Sequence, residues 1–236
     1  MNELIPTGKL RAGIVFAPKM SALFVIKEAD GTPRGITADL SRGLADKLGV
    51  PVEFSIAPNS GLVTDMLAAA EIDVSFMPVD DERRKRIDFG PYFCMIESTY
   101  MVTGPSGLKT LADVDQKHVR VVGIANTTTI RASMRMLKNT QPIAATSIDD
   151  AVAMLHAGKA DAFALGRDSL PDFVKDFPGS RIVDGGFQQT GIAIAVPKGR
   201  PQALAAVTQF MQEAKASGAV RRAMDRAGMQ ALEVAP

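Results

Sequence analysis

The densest chemistry in this chain is a charged run, Asp80–Asp81–Glu82–Arg83–Arg84–Lys85–Arg86–Ile87–Asp88–Phe89, which leads into Gly90–Pro91–Tyr92–Phe93. It follows closely on Val74–Ser75–Phe76–Met77, a short apolar segment that reads as a buried strand. An arginine fixed at the end of such a strand suggests an anionic group on whatever enters beside it. The competing reading is a solvated basic run near a helix start. Other reactive side chains are sparse. Cys94 is the one cysteine, so it makes neither an internal disulfide nor a multi-cysteine zinc site, and its apolar neighbours mark it as a small buried hydrophobe. His118 and His156 are far apart and lack metal-ligand spacing. No metal, no cofactor and no phosphate loop is expected.

The elements that must position the run come as an internal echo. Val52–Ile56, then Met66–Phe76, matches Pro142–Thr146, then Ala151–Leu165, and each copy reads as strand, helix, acidic turn, strand. The acidic turns carry Asp73 and Asp161. Leu10–Phe16 reads as a first strand, and Leu40, Leu44 and Leu48 give a helix over 37–48 that Gly49 ends. Asn59 or Ser60 caps the next helix. Tyr100–Val102 and Val119–Ile124 read as strands. Asn126–Thr129 precedes a helix bearing Met134 and Leu137, and Ser147 with Asp150 reads as a capping box. Thr190–Val196 is a further strand, and helices over 201–217 and 219–227 close the chain. Strands alternating with helices predict an α/β class with mainly parallel sheets, and the echo predicts two lobes with a cleft between them.

The 236 residues suffice for two small lobes, each with its own core. A formal net charge of +1 gives no electrostatic case for nucleic acid or an acidic membrane surface. The absence of Trp also weakens base stacking as a mode of binding. No apolar run approaches the ~20 residues that span a bilayer. No signal peptide is visible, and the first strand begins almost at once; this fits a chain without one and equally a mature secreted chain carrying an added Met.

Four short motifs then fall in a known order: Gly8–Lys9–Leu10–Arg11–Ala12–Gly13, Gly35–Ile36–Thr37–Ala38–Asp39–Leu40, Asp81–Phe89 and Thr190–Gly191–Ile192–Ala193–Ile194. With them the chain resembles the periplasmic solute-binding proteins of amino-acid-type ABC importers (bacterial extracellular solute-binding protein family 3). The resemblance implies a Venus-flytrap fold with two mainly parallel sheets joined by a two-strand hinge. Lobe I would hold residues 1–96 and 192–236, lobe II residues 97–191, with crossings near 95–98 and 188–191. It implies a monomeric periplasmic receptor, its signal peptide removed, that hands a small carboxylate-bearing solute to an inner-membrane ABC permease without catalysing a reaction. Arg83 matches the arginine that clamps the ligand carboxylate. Thr128 and Thr129 match the helix-start turn that offers N–H groups and a hydroxyl, although Thr127 stands where the family has glycine.

The chain departs from that pattern at the ligand's ammonium end. The strand after Asp161–Ala162 ends in Gly166, where amino-acid binders carry Asp; Phe76 and Pro78 replace a small residue and a hydroxyl, and Asp80 replaces a Thr. A buried ammonium without a carboxylate partner is costly. Either the ligand lacks an α-amino group, or another acid supplies the charge, with Glu97 on the first crossing ahead of Asp80 and Asp168. Glu97 also reads as a surface or hinge salt bridge. Phe16, Phe24 and Phe76 read as core residues or as an apolar wall for the ligand. Two alternative functions remain: a cyclohexadienyl-dehydratase-like enzyme using Glu97 for proton transfer, and a ligand-sensing domain.

Overall fold

A computed structural model describes residues 3–236. Met1 and Asn2, the start of the expected first lobe, lie outside the described residues. In chain order the elements are β1 (Leu10–Phe16), β2 (Phe24–Lys27), β3 (Pro33–Arg34), α1 (Ile36–Leu48), β4 (Val52–Ala57), α2 (Ser60–Ala68), β5 (Val74–Pro78), α3 (Asp81–Arg84) and β6 (Ile87–Val102). Then follow α4 (Leu111–Val114), β7 (Val121–Ile124), α5 (Thr128–Met136), β8 (Ile143–Ala145), α6 (Ile148–His156), β9 (Ala162–Gly166), α7 (Leu170–Val174), β10 (Arg181–Ile182), β11 (Gln188–Pro197), α8 (Pro201–Ala216) and α9 (Ala219–Arg226). The fold is mixed α/β, as the alternation of patterns predicts. It divides into two compact units, one running to Met95 and resuming at Gly191–Pro236, the other Ile96–Thr190.

In the first unit β1 pairs in parallel with β2, β4 and β5, and β11 adds to β5 antiparallel. Ile14, Val25 and Ala38 pack under this sheet with Phe54 against them. α1 ends where Gly49 takes φ 67°, a left-handed conformation that returns its N–H to the helix's last carbonyls. In the second unit β7 pairs in parallel with β8 and β9, and β6 and β9 are antiparallel. Tyr100, Val121, Leu137, Ala164 and Val183 form its core. The Tyr100 hydroxyl reaches Ser133 Oγ at 2.7 Å inside that core, where burial raises the phenol's pKa.

The repeated acidic turn does the same work in both units. In the first, Asp73 takes the Arg11 backbone N–H at 3.0 Å, Nε at 2.9 Å and Nη2 at 2.6 Å, while its own N–H returns to Arg11 O at 2.7 Å. In the second, Asp161 takes the same three donors of Arg120 at 2.9, 2.9 and 2.6 Å, with its N–H on Arg120 O at 2.8 Å. Each arginine spends a further donor on the carbonyl of the preceding turn, Ala70 or Gly158. The echo is therefore a pair of bidentate clamps that lock the start of one strand to the start of its neighbour.

Two expectations differ in detail, and one of two readings of Phe76 is seen. Tyr100–Val102 is only the end of the 16-residue β6. Ser147 caps α6 by accepting the Asp150 N–H, but the Asp150 carboxylate accepts from Thr146 Oγ1; the reciprocal capping box is found at Thr110 and Asp113. Phe76 lies in the core at 2% exposure, edge-on to Phe93 with ring centroids 5.8 Å apart.

Candidate functional site

In the first unit, the fully buried β5 delivers the chain to Asp80, whose carboxylate accepts the Arg83 N–H at 2.9 Å and caps α3. That cap turns Arg83 inward. Its side chain is 3% exposed, with Nη1 donating to Pro78 O at 2.8 Å and Nη2 to Ser60 Oγ at 2.7 Å. Ser60 opens α2 behind the Asn59 cap. The neighbouring cations are exposed: Arg84 meets the Tyr92 hydroxyl and lies over Phe89, Lys85 pairs with Glu82, and Arg86 pairs with Asp65. Of the basic run, Arg83 alone is buried, and two neutral oxygens fix the plane of its guanidinium. Pro78, which takes a bond from Arg83, is buried; Phe24 is buried and Phe16 half-buried.

In the second unit, Thr127 caps α5. Its Oγ1 accepts the Ile130 N–H at 3.3 Å and donates to Ile124 O at 2.8 Å. Asn126 before it has φ 58°, so the chain turns sharply into the helix. Thr128, 2% exposed, occupies the first turn, where backbone N–H groups lack helical acceptors. Thr129 Oγ1 lies 3.4 Å from Ser98 Oγ on β6. Ser98 in turn faces Gly166 across the β6–β9 ladder.

Glu97 is held from several sides within the second unit. Its carboxylate accepts Arg167 Nε at 2.5 Å and Gln189 Nε2 at 3.3 Å, and its carbonyl accepts the Arg167 N–H at 2.7 Å. Arg167 also donates to the carbonyls of Val183 and Gly185. Position 186 has no room for a side chain, since a Cβ there would stand 2.2 Å from Glu97 Cγ. The arrangement is the salt bridge that the sequence offers as Glu97's second reading. Among the described residues no group of three His, Cys, Asp or Glu side chains could hold a metal ion.

The model of one family, "Bacterial extracellular solute-binding proteins, family 3", matches residues 14–229. The chain belongs to this family. It is 25% identical over 203 residues to the glutamine-binding protein of Geobacillus stearothermophilus, covering 84% of this chain and 76% of the relative. Among solved structures of family-like fold, the amino acid ABC transporter substrate-binding protein AbpA of Streptococcus pneumoniae, bound to L-arginine, superposes with a TM-score of 0.83 at 22% identity over 99% of this chain and 100% of that one. An ancestral amino acid-binding protein described as a precursor of cyclohexadienyl dehydratase gives a TM-score of 0.82 at 24% identity, covering 95% and 97% of the two chains.

The sequence marks Ser60 only as a candidate helix cap and Ser98 only as part of a crossing, not as partners of site residues. Ser60 sits beside a recognisable helix cap, and nothing local marks it as the partner of a side chain 23 residues on. Ser98 gains meaning only from its neighbours across the ladder.

Proposed function

We propose that this chain is the substrate-binding component of an ABC importer. It captures a small carboxylate-bearing solute, an amino acid or a related organic acid, and delivers it to an inner-membrane permease. It works in the periplasm as a monomer, after loss of a signal peptide, and catalyses no reaction. Arg83 takes the ligand carboxylate, and the start of α5 at Thr128 and Thr129 adds N–H donors and a hydroxyl; Phe16, Phe76, Pro78 and Gly166 shape the surroundings.

The observation that carries this reading is the burial of Arg83, pinned by Ser60 Oγ and Pro78 O while Arg84, Lys85 and Arg86 stay in solvent. A buried guanidinium held in one orientation presents a rigid planar fork that matches a carboxylate, so an anionic ligand suits it. The engagement of Glu97 by Arg167 supports binding over proton transfer, because a salt-bridged carboxylate is a poor general acid. The test is a thermal-shift screen over the common amino acids and small organic acids, beginning with glutamine and L-arginine. A ligand of the folded state raises the melting temperature. Absence of any shift across carboxylates, with a shift from neutral or cationic solutes, would refute the proposal.

A further inference from the structure

The turn Thr103–Gly107, which follows β6 in the second unit, is a run of turn formers that the proposed receptor site does not use. Its backbone lies against a second such turn. A Cβ on Gly104 would stand 2.9 Å from Pro178 O and 2.9 Å from Gly179 C, so glycine lets the two loops meet. The prolines beside them, Pro105 and Pro178, border a cavity of about 380 Å³ that is lined also by the buried Leu155, Ala160 and Phe177. The His156 ring stacks on Phe177, with centroids 4.3 Å apart and planes at 25°, and the pair forms a flat wall. The volume falls within the range of small-molecule sites. The cavity reaches Asp161, where β9 begins, at the other end of that strand from Gly166.

Hydrogen-bond accounting narrows what the cavity can take. Asp161 spends both carboxylate oxygens on Arg120, and Gly158 O accepts from Arg120 Nη1. Thr103 O accepts from Ser106 Oγ, and Asp161 O accepts the Thr103 N–H. These acceptors are engaged, and donors remain. Nη1 and Nη2 of Arg120 each donate one of their two N–H groups, which leaves one on each. The Thr103 hydroxyl has no partner among the described residues. The Arg120 side chain is 48% exposed, yet the Asp161 clamp fixes the guanidinium plane, so the remaining donors are preorganised. A planar group that only accepts matches such donors, and the flat wall with its apolar surroundings matches a ring. We infer that this cavity is a second small-molecule site, built wholly from the second unit, and that its ligand class is aromatic carboxylates. Arg120 and Thr103 take the carboxylate, and the ring packs against the His156–Phe177 pair.

The test is a heteronuclear NMR titration of the full chain with benzoate and with its neutral analogue benzamide. Benzoate is expected to saturate and to move the amide signals of Gly104, Gly158 and Gly179 together with the Arg120 Nε–H signal. It is expected to bind at least about tenfold tighter than benzamide, the effect of one charge-assisted pair. His156→Ala changes an exposed side chain at the end of α6, so the variant is expected to fold normally and to bind benzoate about fivefold more weakly. Thr103→Val is expected to weaken benzoate about threefold. Arg83→Ala is expected to leave benzoate affinity within about twofold whatever becomes of amino-acid binding, so the receptor reading and this inference fail separately. Signals that do not move, or that drift without saturating, would overturn the inference. So would benzamide binding as well as benzoate, or an unchanged benzoate affinity in either His156→Ala or Thr103→Val. Shifts confined to Ser60, Arg83 and Thr128 would put benzoate in the receptor site and overturn it too, with the receptor reading intact.

Discussion

The two Arg–Asp clamps place the same bonds at two depths, and the difference sets their worth. Asp73→Asn and Asp161→Asn each exchange a carboxylate for an amide that keeps one acceptor oxygen but loses the charge. The Asp73 side chain is 0% exposed and Arg11 20%, whereas Asp161 is 20% and Arg120 48% exposed. Arg200 stands 3.7 Å from Asp73 as a second cation that would lose its partner. Breaking a buried pair costs about 3–5 kcal/mol, and exposed pairs contribute little. Arg11 retains some water and the amide retains the backbone bond, so Asp73→Asn is expected to cost about 2–3 kcal/mol. Asp161→Asn is expected to cost less than half as much. Urea unfolding at neutral pH, compared at unchanged slope, measures both. The pH dependence follows a fixed sign. Hydrogen bonds from the Arg120 side chain hold the Asp161 carboxyl below its ordinary value. Its contribution is then present above the unfolded value near ~4 and is lost as the pH falls through the lower folded value. The gap between wild type and Asp161→Asn is expected to narrow below about pH 4. Equal losses at the two sites, or a gap that widens in acid, would refute the claim that depth sets the strength.

Arg83→Ala is expected to abolish tight binding of the carboxylate ligand in calorimetry while circular dichroism stays native, and Arg84→Ala to leave affinity within about threefold, since that side chain is exposed. Arg167→Ala strands the half-buried Glu97 carboxylate and is expected to cost about 1–2 kcal/mol in urea unfolding, with Glu97→Gln costing less. Tyr100→Phe removes the 2.7 Å bond to Ser133 and leaves that hydroxyl buried, an expected loss of about 1–2 kcal/mol; no loss would mean that Ser133 finds another partner.

Much of the fold was legible because its signals are local. Leu10–Phe16 is a strand over its predicted length, and Gly49 ends α1 in the left-handed conformation that a C-capping glycine supplies. The longest strand was not legible. β6 crosses Gly90–Pro91 and the polar stretch Glu97–Ser98–Thr99, which break the apolar pattern that marks a strand. It is held by partners distant in sequence, β9 and β10, so its extent is a tertiary property. The short helices Leu111–Val114 and Leu170–Val174 hold barely one turn, too little for a helical period to show.

The candidate site divides along the same line. The type of residue at a charged position could be read from the chain, but its partner could not. Arg83 stood among four basic residues of equal composition value, and the fold separates them by burying one. Glu97 looked like an acid in search of a cation. The cation is Arg167, 70 residues away, and the pair is closed by Gly186, which no local pattern connects to it. Gly166 is the sharpest case. One residue type supports opposite inferences, a charge deleted or a space made, and the 2.5 Å approach of Asp168 Oδ1 to a Cβ built there is visible only in three dimensions. A glycine at the end of a strand must therefore be judged by what fills its vacant volume before it is read as the loss of a function.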